Sequence, residues 1–182
     1  MKIKNFKEKI AIPQGYDVKV DHDGISISKA GKTVTRRLKH RDVSIGVEEG
    51  FIVLSFKSGA KREKTMAGTF AAHIKNMIRG AEKPHVYKMK ICSGHFPMTV
   101  SANGNKFIVN NFLGEKTPRE MKIKDGATVK IEGDIITIES NYIEIASQIA
   151  ADIERLTRVR GRDLRVFQDG IYITSKDGES VA

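Results

Sequence analysis

Five arginines, Arg155, Arg158, Arg160, Arg162 and Arg165, fall within eleven residues of a 182-residue chain and are opposed there only by Asp163. A guanidinium is planar, always charged and carries paired N–H donors, which suits two-point contact with phosphate and stacking on bases. The stretch contains no lysine. It runs from a helix end into a loop rather than along a helix flank with acidic partners at i+4, which favours phosphate recognition over an ordinary solvated face. Two weaker basic groups accompany it. Lys57, Lys61, Arg62 and Lys64 stand in what reads as the loop leading into a helix. Arg36, Arg37, Lys39 and Arg41 form either a third cluster or the outward face of a strand.

Other chemistry is hard to assemble. Ala30-Gly31-Lys32-Thr33 resembles the end of a phosphate-binding loop, but Ser26 stands where that motif requires its first glycine, and the context is strand and turn. His22, His40, His73, His85 and His95 are scattered, and Cys92 three residues before His95 offers no metal-ligand spacing. A Cys92–His95 nucleophile pair is conceivable; Cys92 in an alternating strand reads more simply as a buried apolar residue. No Gly-x-Ser-x-Gly occurs. Two alternatives to a purely structural nucleic-acid binder stay open. One is an RNA-modifying or RNA-cleaving enzyme with dispersed active groups, and the other is a basic protein-interaction module.

Composition sets the frame around these residues. The chain is 40% apolar and 30% charged, as suits a packed globular protein, and carries a formal charge of +10 with a pI near 9.7. Such a surplus favours a polyanionic partner, and RNA above all. The charge is uneven: residues 1–81 hold 17 basic and 8 acidic side chains, whereas residues 82–182 hold 15 and 14. Aromatic residues make up only 7%, so a single-strand stacking platform is not expected, and recognition of backbone and shape is. The single cysteine excludes an intrachain disulfide and points to a reducing compartment. No segment approaches the ~20 apolar residues of a membrane span. The N-terminus has the charge of a signal peptide without its apolar stretch, so the expected location is cytoplasmic.

The elements that must position these residues are short. Tyr16–Val20, Gly24–Lys29, Lys32–Leu38, Val43–Glu48 and Phe51–Phe56 alternate like strands, separated by turn formers. Near Thr65 the period changes, and Ala67, Phe70, Ala71, Ile74, Met77 and Ile78 recur at helical spacing until Gly80. The stretch Gly80–Pro84 reads as a boundary, after which the pattern begins again. Val86–Cys92, Met98–Val100, Lys106–Asn110, Thr128–Ile131 and Ile135–Glu139 read as strands. Asn141-Tyr-Ile-Glu144 resembles a capping box opening a helix that places Ile145, Ile149, Ile153 and Leu156 on one stripe. The arginine run leaves that helix and crosses a loop to a strand at Gly170–Ser175.

The halves superpose at an offset of about 80 residues. Val18-Lys-Val20 and Gly24 face Met98-Thr-Val100 and Gly104, and Ala71-Ala-His-Ile74 faces Ala150-Ala-Asp-Ile153. The expected fold is α+β, with two tandem copies of a small, mostly antiparallel sheet covered by one helix. Residues 1–81 form the first copy, with a basic N-terminal arm (Met1–Lys9) that orders on assembly. Residues 82–182 form the second, with the arginine-rich segment.

Gln148-Ile-Ala-Ala-Asp-Ile-Glu-Arg155, followed by Arg165-Val-Phe-Gln-Asp-Gly-Ile-Tyr172, resembles the closing segment of the large-subunit ribosomal protein L6 family in its archaeal and eukaryotic form. Ala11–Gly15, Thr69–Ile78, Tyr87–Ile91, His95-Phe-Pro97 and Asn111–Lys116 extend the resemblance over essentially the whole chain. It implies a doubled ribosomal protein L6-like fold. It also implies a non-catalytic structural component of the large subunit that binds the major large-subunit rRNA without a cofactor. Its partners are then that rRNA and neighbouring large-subunit proteins, with translational GTPases acting near its C-terminal half at the stalk base. It is not expected to be a stand-alone homo-oligomer. Asn110, Asn111 and Lys116 join the arginines as expected rRNA contacts on this resemblance.

Overall fold

The computed structural model describes residues 3–21 and 23–181, and His22 falls outside them. The chain divides into two compact units, residues 1–83 and 84–182.

The first unit holds β1 (Ile3–Ala11), β2 (Asp17–Asp21), β3 (Gly24–Lys29), β4 (Lys32–Arg36), β5 (Ser44–Glu48), β6 (Phe51–Gly59) and α1 (Lys61–Glu82). β6 lies between β1 and β5 in one antiparallel sheet, and β2, β3 and β4 form an antiparallel meander. β6 buries Ile52, Val53, Leu54 and Phe56, while α1 turns Ala67, Phe70, Ala71, Ile74 and Met77 inward. Helix α1 packs on β6 and β1 and also on β3 and β4, so one apolar stripe closes both sheets.

Two expectations change here, and a rejected one stays rejected. The supposed arm is β1 from Ile3 onward, paired along β6; Met1 and Lys2 lie outside the described residues. Its many lysines masked a strand whose Ile10 is buried. Helix α1 starts at Lys61 rather than near Thr65, because Lys61-Arg-Glu-Lys64 shows no apolar period although it forms the first turn. Glu63 Oε2 accepts the Ala60 N–H at 2.6 Å, answering one of the free donors at the helix start, and this contact chiefly holds its carboxyl below the usual value. Ala30 and Gly31 both have positive φ and form the two-residue turn between β3 and β4, a hairpin geometry unrelated to a phosphate loop.

The second unit holds β7 (His85–Cys92), β8 (Thr99–Asn103), β9 (Lys106–Asn110), a 3-10 turn (Phe112–Gly114), β10 (Arg119–Lys122), β11 (Ala127–Glu132), β12 (Ile135–Ser140), α2 (Ile143–Leu156), β13 (Gly170–Lys176) and β14 (Glu179–Ser180). Strands β8, β9 and β10 form a meander, and the main sheet runs β11-β12-β7-β13-β14, antiparallel throughout. Its core joins Tyr87, Met89, Ile136 and Ile138 of the sheet to Phe107 and Val109 of the meander and to Ile149 and Ile153 of α2.

Order and pairing repeat between the units: β1, β2–β4, β5, β6 and α1 recur as β7, β8–β10, β11, β12 and α2. Ala71 and Ile74 are buried like Ala150 and Ile153. The superposition of Gly24 on Gly104 is corrected by the hairpins. Gly24 pairs with Asp21 and Lys106 pairs with Asn103, so Gly24 corresponds to Lys106. The second copy does not end on its helix, since β13 returns to pair with β7 on the edge that β1 leaves open in its own sheet. The capping box at Asn141 does not form. Tyr142 is the N-cap, and its N–H is taken by Ser140 Oγ at 3.1 Å, which itself donates to the Gly126 carbonyl at 2.7 Å. No helix among the described residues is long and apolar enough to cross a membrane.

Candidate nucleic-acid interface

The arginine segment leaves α2 through residues that alternate inward and outward. Thr157 is 2% exposed, and its hydroxyl donates to the Ile153 carbonyl at 3.3 Å while accepting the Ile171 N–H at 3.0 Å. Val159 is also buried. With both turned in, Arg158 and Arg160 must point out, and both are exposed. Asp163 then folds the chain back: its carbonyl accepts from the N–H groups of Val166 and Phe167, and its carboxylate pairs with the Arg165 guanidinium at 3.0 Å. That pairing holds the Asp163 carboxyl below the usual range. Arg155 lies 3.4 Å from Asp152, and the Arg162 guanidinium sits 4.8 Å over the Phe167 ring. All five arginines are exposed, as a phosphate-binding surface requires.

Two side chains that sequence reasoning missed hold this surface. Arg119 donates to Glu115 at 2.8 and 2.5 Å, to the Leu156 carbonyl at 2.7 Å and to the Arg158 carbonyl at 3.3 Å. It also lies 4.2 Å over Phe112. The guanidinium therefore answers carbonyls at the C-terminus of α2, where the helix dipole favours a cation. Asp169 has a side chain 1% exposed and accepts the Gly94 N–H at 2.6 Å, the His95 N–H at 2.9 Å and the His95 ring at 2.5 Å. A carboxylate can only accept, so His95 Nδ1 carries the hydrogen of that bond. Burial pushes the Asp169 carboxyl up, but these donors together outweigh it and hold the group below its usual value. His95 in turn stacks on Phe167 at 4.6 Å.

The second unit therefore gathers segments 93–97, 110–119 and 157–172. The loop expected to contribute Asn110, Asn111 and Lys116 lies beside the arginine segment, linked through Arg119. Asn110, Asn111 and Lys116 are all exposed there, and Asn111 also donates its amide to the Pro97 carbonyl at 2.9 Å. Asn111 and Leu113 both adopt left-handed backbone, at φ 56° and 50°. For a bulky residue such as Leu113 this is strained, and its side chain is held in the core.

The first unit's basic residues are placed differently from the expected loop. Lys57 belongs to β6, and Lys61, Arg62 and Lys64 occupy the first turn of α1. All four are exposed. Three cations at a helix N-terminus oppose its dipole, so stability does not explain them. In the remaining group, Lys39 and Arg37 reach Asp23 at 2.6 and 4.0 Å, and Arg36 lies 3.4 Å from His73. Much of that charge is answered within the protein. Cys92, expected to be buried, is half-exposed at the end of β7. Among the described residues no group of three His, Cys, Asp or Glu side chains is placed to hold a metal.

Residues 12–83 and 96–170 match the family model described as ribosomal protein L6. The large ribosomal subunit protein uL6 of Methanococcus vannielii is 39% identical over 173 residues, covering 95% of each chain. The protein of the same name from Natronomonas pharaonis is 38% identical over 92% of this chain and 95% of its own. That of Haloarcula marismortui is 39% identical over 92% and 94%. The two stretches matched by the family model, one in each unit, and these full-length likenesses show that the chain belongs to the ribosomal protein L6 family.

Proposed function

We propose that the protein is a non-catalytic structural component of the large ribosomal subunit that binds its major rRNA chiefly through the segment from Arg155 to Arg165. The observation that carries this reading is the outward presentation of five arginines on a buried frame. Thr157, Val159 and Arg119 fix the backbone, and no side-chain hydrogen bond or ion pair engages Arg158 or Arg160 among the described residues. Asn110, Asn111 and Lys116 extend the same surface. Lys57, Lys61, Arg62 and Lys64 supply a second, weaker one on the first unit. The names of the full-length relatives support placement in the large subunit. On this reading the second unit works near the region where translational GTPases act, beside the stalk base. Neighbouring large-subunit proteins complete its surroundings, in the cytoplasm.

The test combines sedimentation with salt titration. The protein should co-migrate with the large subunit at about one copy and resist moderate salt; a free, substoichiometric pool sinks the assignment. Replacing Arg158, Arg160 and Arg162 together by Ala should weaken rRNA binding. The slope of log affinity against log salt should become shallower by roughly 0.9 per lost phosphate contact, nearly 3 in all. An unchanged slope would show these arginines to be solvent-facing only.

A further inference from the structure

Low aromatic content predicts no stacking surface, yet the second unit assembles one. Tyr172 is 42% exposed on β13. A methyl group added to Gly170 would meet Cζ and the hydroxyl oxygen of Tyr172 at 3.0 Å and Cε2 at 3.1 Å, so the hydroxyl end of the ring lies close over the glycine. Its hydroxyl donates to the Gln168 carbonyl at 3.1 Å, which fixes the ring in its plane. Beside it opens a recess of about 590 Å³ between residues 92–95 and 166–172, walled by Tyr172, Cys92, Ser93 and Gln168. A second recess of about 470 Å³ shares Gln168 and Tyr172 with the first and carries Arg155 and Arg158.

The polar groups of the recess suit a planar heterocycle on a phosphate backbone. Ser93 and Gln168 can both donate and accept, as the edge of a base requires. The one buried carboxylate of the wall, Asp169, is occupied by three donors and nearly inaccessible, so it presents no free negative charge to a phosphate. Val166, 59% exposed at the rim, adds apolar surface that phosphate contact leaves unexplained. We infer that this recess receives a single unstacked nucleobase of the bound RNA, laid on Tyr172, while the adjoining phosphates meet Arg155 and Arg158. The inference rests on the rRNA-binding reading and adds a base contact to it. Aromatic stacking contributes affinity without releasing counterions, so its loss lowers binding at every salt concentration alike.

Two measurements on the full-length chain with deproteinised large-subunit rRNA test it. Irradiation of the wild-type complex with short-wave ultraviolet light absorbed by the bases, then digestion and mass spectrometry, should place nucleotide adducts on Cys92 or Tyr172, the thiol and the aromatic ring that line the recess. Absence of adducts at both residues overturns the assignment. In salt-titrated binding, Tyr172→Ala should weaken affinity roughly 5- to 150-fold with the wild-type slope, and Tyr172→Phe should stay within about twofold. Wild-type affinity for Tyr172→Ala, together with a shallower slope for the triple arginine variant, removes the base contact and leaves the rRNA reading standing. A wild-type chain that binds no rRNA removes both.

Discussion

The two units share one chain path and differ in what is added to it. In the first, β1 forms the edge of its sheet, the helix closes the unit, and a surplus of basic charge is spread over strands and a helix start. In the second, the strand equivalent to β1 is enclosed by β13, and the loop that brings β13 back carries Arg158–Arg165. Total charge and local concentration of charge are therefore separable. The unit with nearly balanced charge holds the concentrated surface, because a frame of buried groups fixes where its arginines point. The repeated fold supplies the platform, and the added strand and its loop carry the concentrated arginines.

The strongest test of this contrast uses equivalent core residues. Ile74 and Ile153 are both fully buried. Each replacement by Ala should cost about 2–5 kcal/mol in denaturant unfolding. Only Ile153→Ala, at the base of the arginine segment, should also weaken rRNA binding; equal effects on binding would break the division of roles.

Asp169→Ala comes next. It leaves the Gly94 and His95 N–H groups without their acceptor and should cost about 2–3 kcal/mol by the same measurement. The folded-state carboxyl titrates below its ordinary 3.8, so its contribution is complete above that value and is lost as pH falls through the lower folded-state value. The wild-type protein should show this acid loss, and the variant should lack it.

Arg119→Ala should cost about 1–3 kcal/mol, since the guanidinium, its side chain 22% exposed, serves Glu115 and two carbonyls. The arginine segment should loosen, seen as faster amide exchange at Arg158 and Val159. Unchanged exchange would mean that Thr157 alone holds it. The smallest effect is expected in the first unit. Replacing Lys61, Arg62 and Lys64 by Ala should shallow the salt slope less than the arginine triple does, and a larger change would reverse the ranking of the two surfaces.

What the sequence revealed depended on periodicity. The stripes through Ile74 and Ile153, the alternation of β3 and β12 and the glycine-marked hairpins were legible because burial imposes a repeat on residue type. β1 was hidden because its lysines suggest a solvated tail, and β10 because Arg119–Lys122 is too short to show a period. The arginine segment was visible as local composition. Its supports were not: Arg119 meets carbonyls 37 and 39 positions away, and Asp169 meets His95 across 74. Nothing in local spacing marks such partners. The Gln168-Asp-Gly170 that opens β13 is a visible trace of one, though without its meaning.

The return of β13 to β7 also sets a schedule for synthesis. Every described strand of the first unit can find its partner once Glu82 has been made. β7 must wait with one edge open until Gly170–Lys176 follows, and the contact of His85 with Asp177 at 2.9 Å spans 92 positions. Closure over so long a separation is slow and comes last. The arginine segment is tethered at α2 early but gains its second anchor only then. A nascent chain thus acquires its ordered arginine surface only after Gly170–Lys176 has been made, and fragments that stop before β13 lack that second anchor.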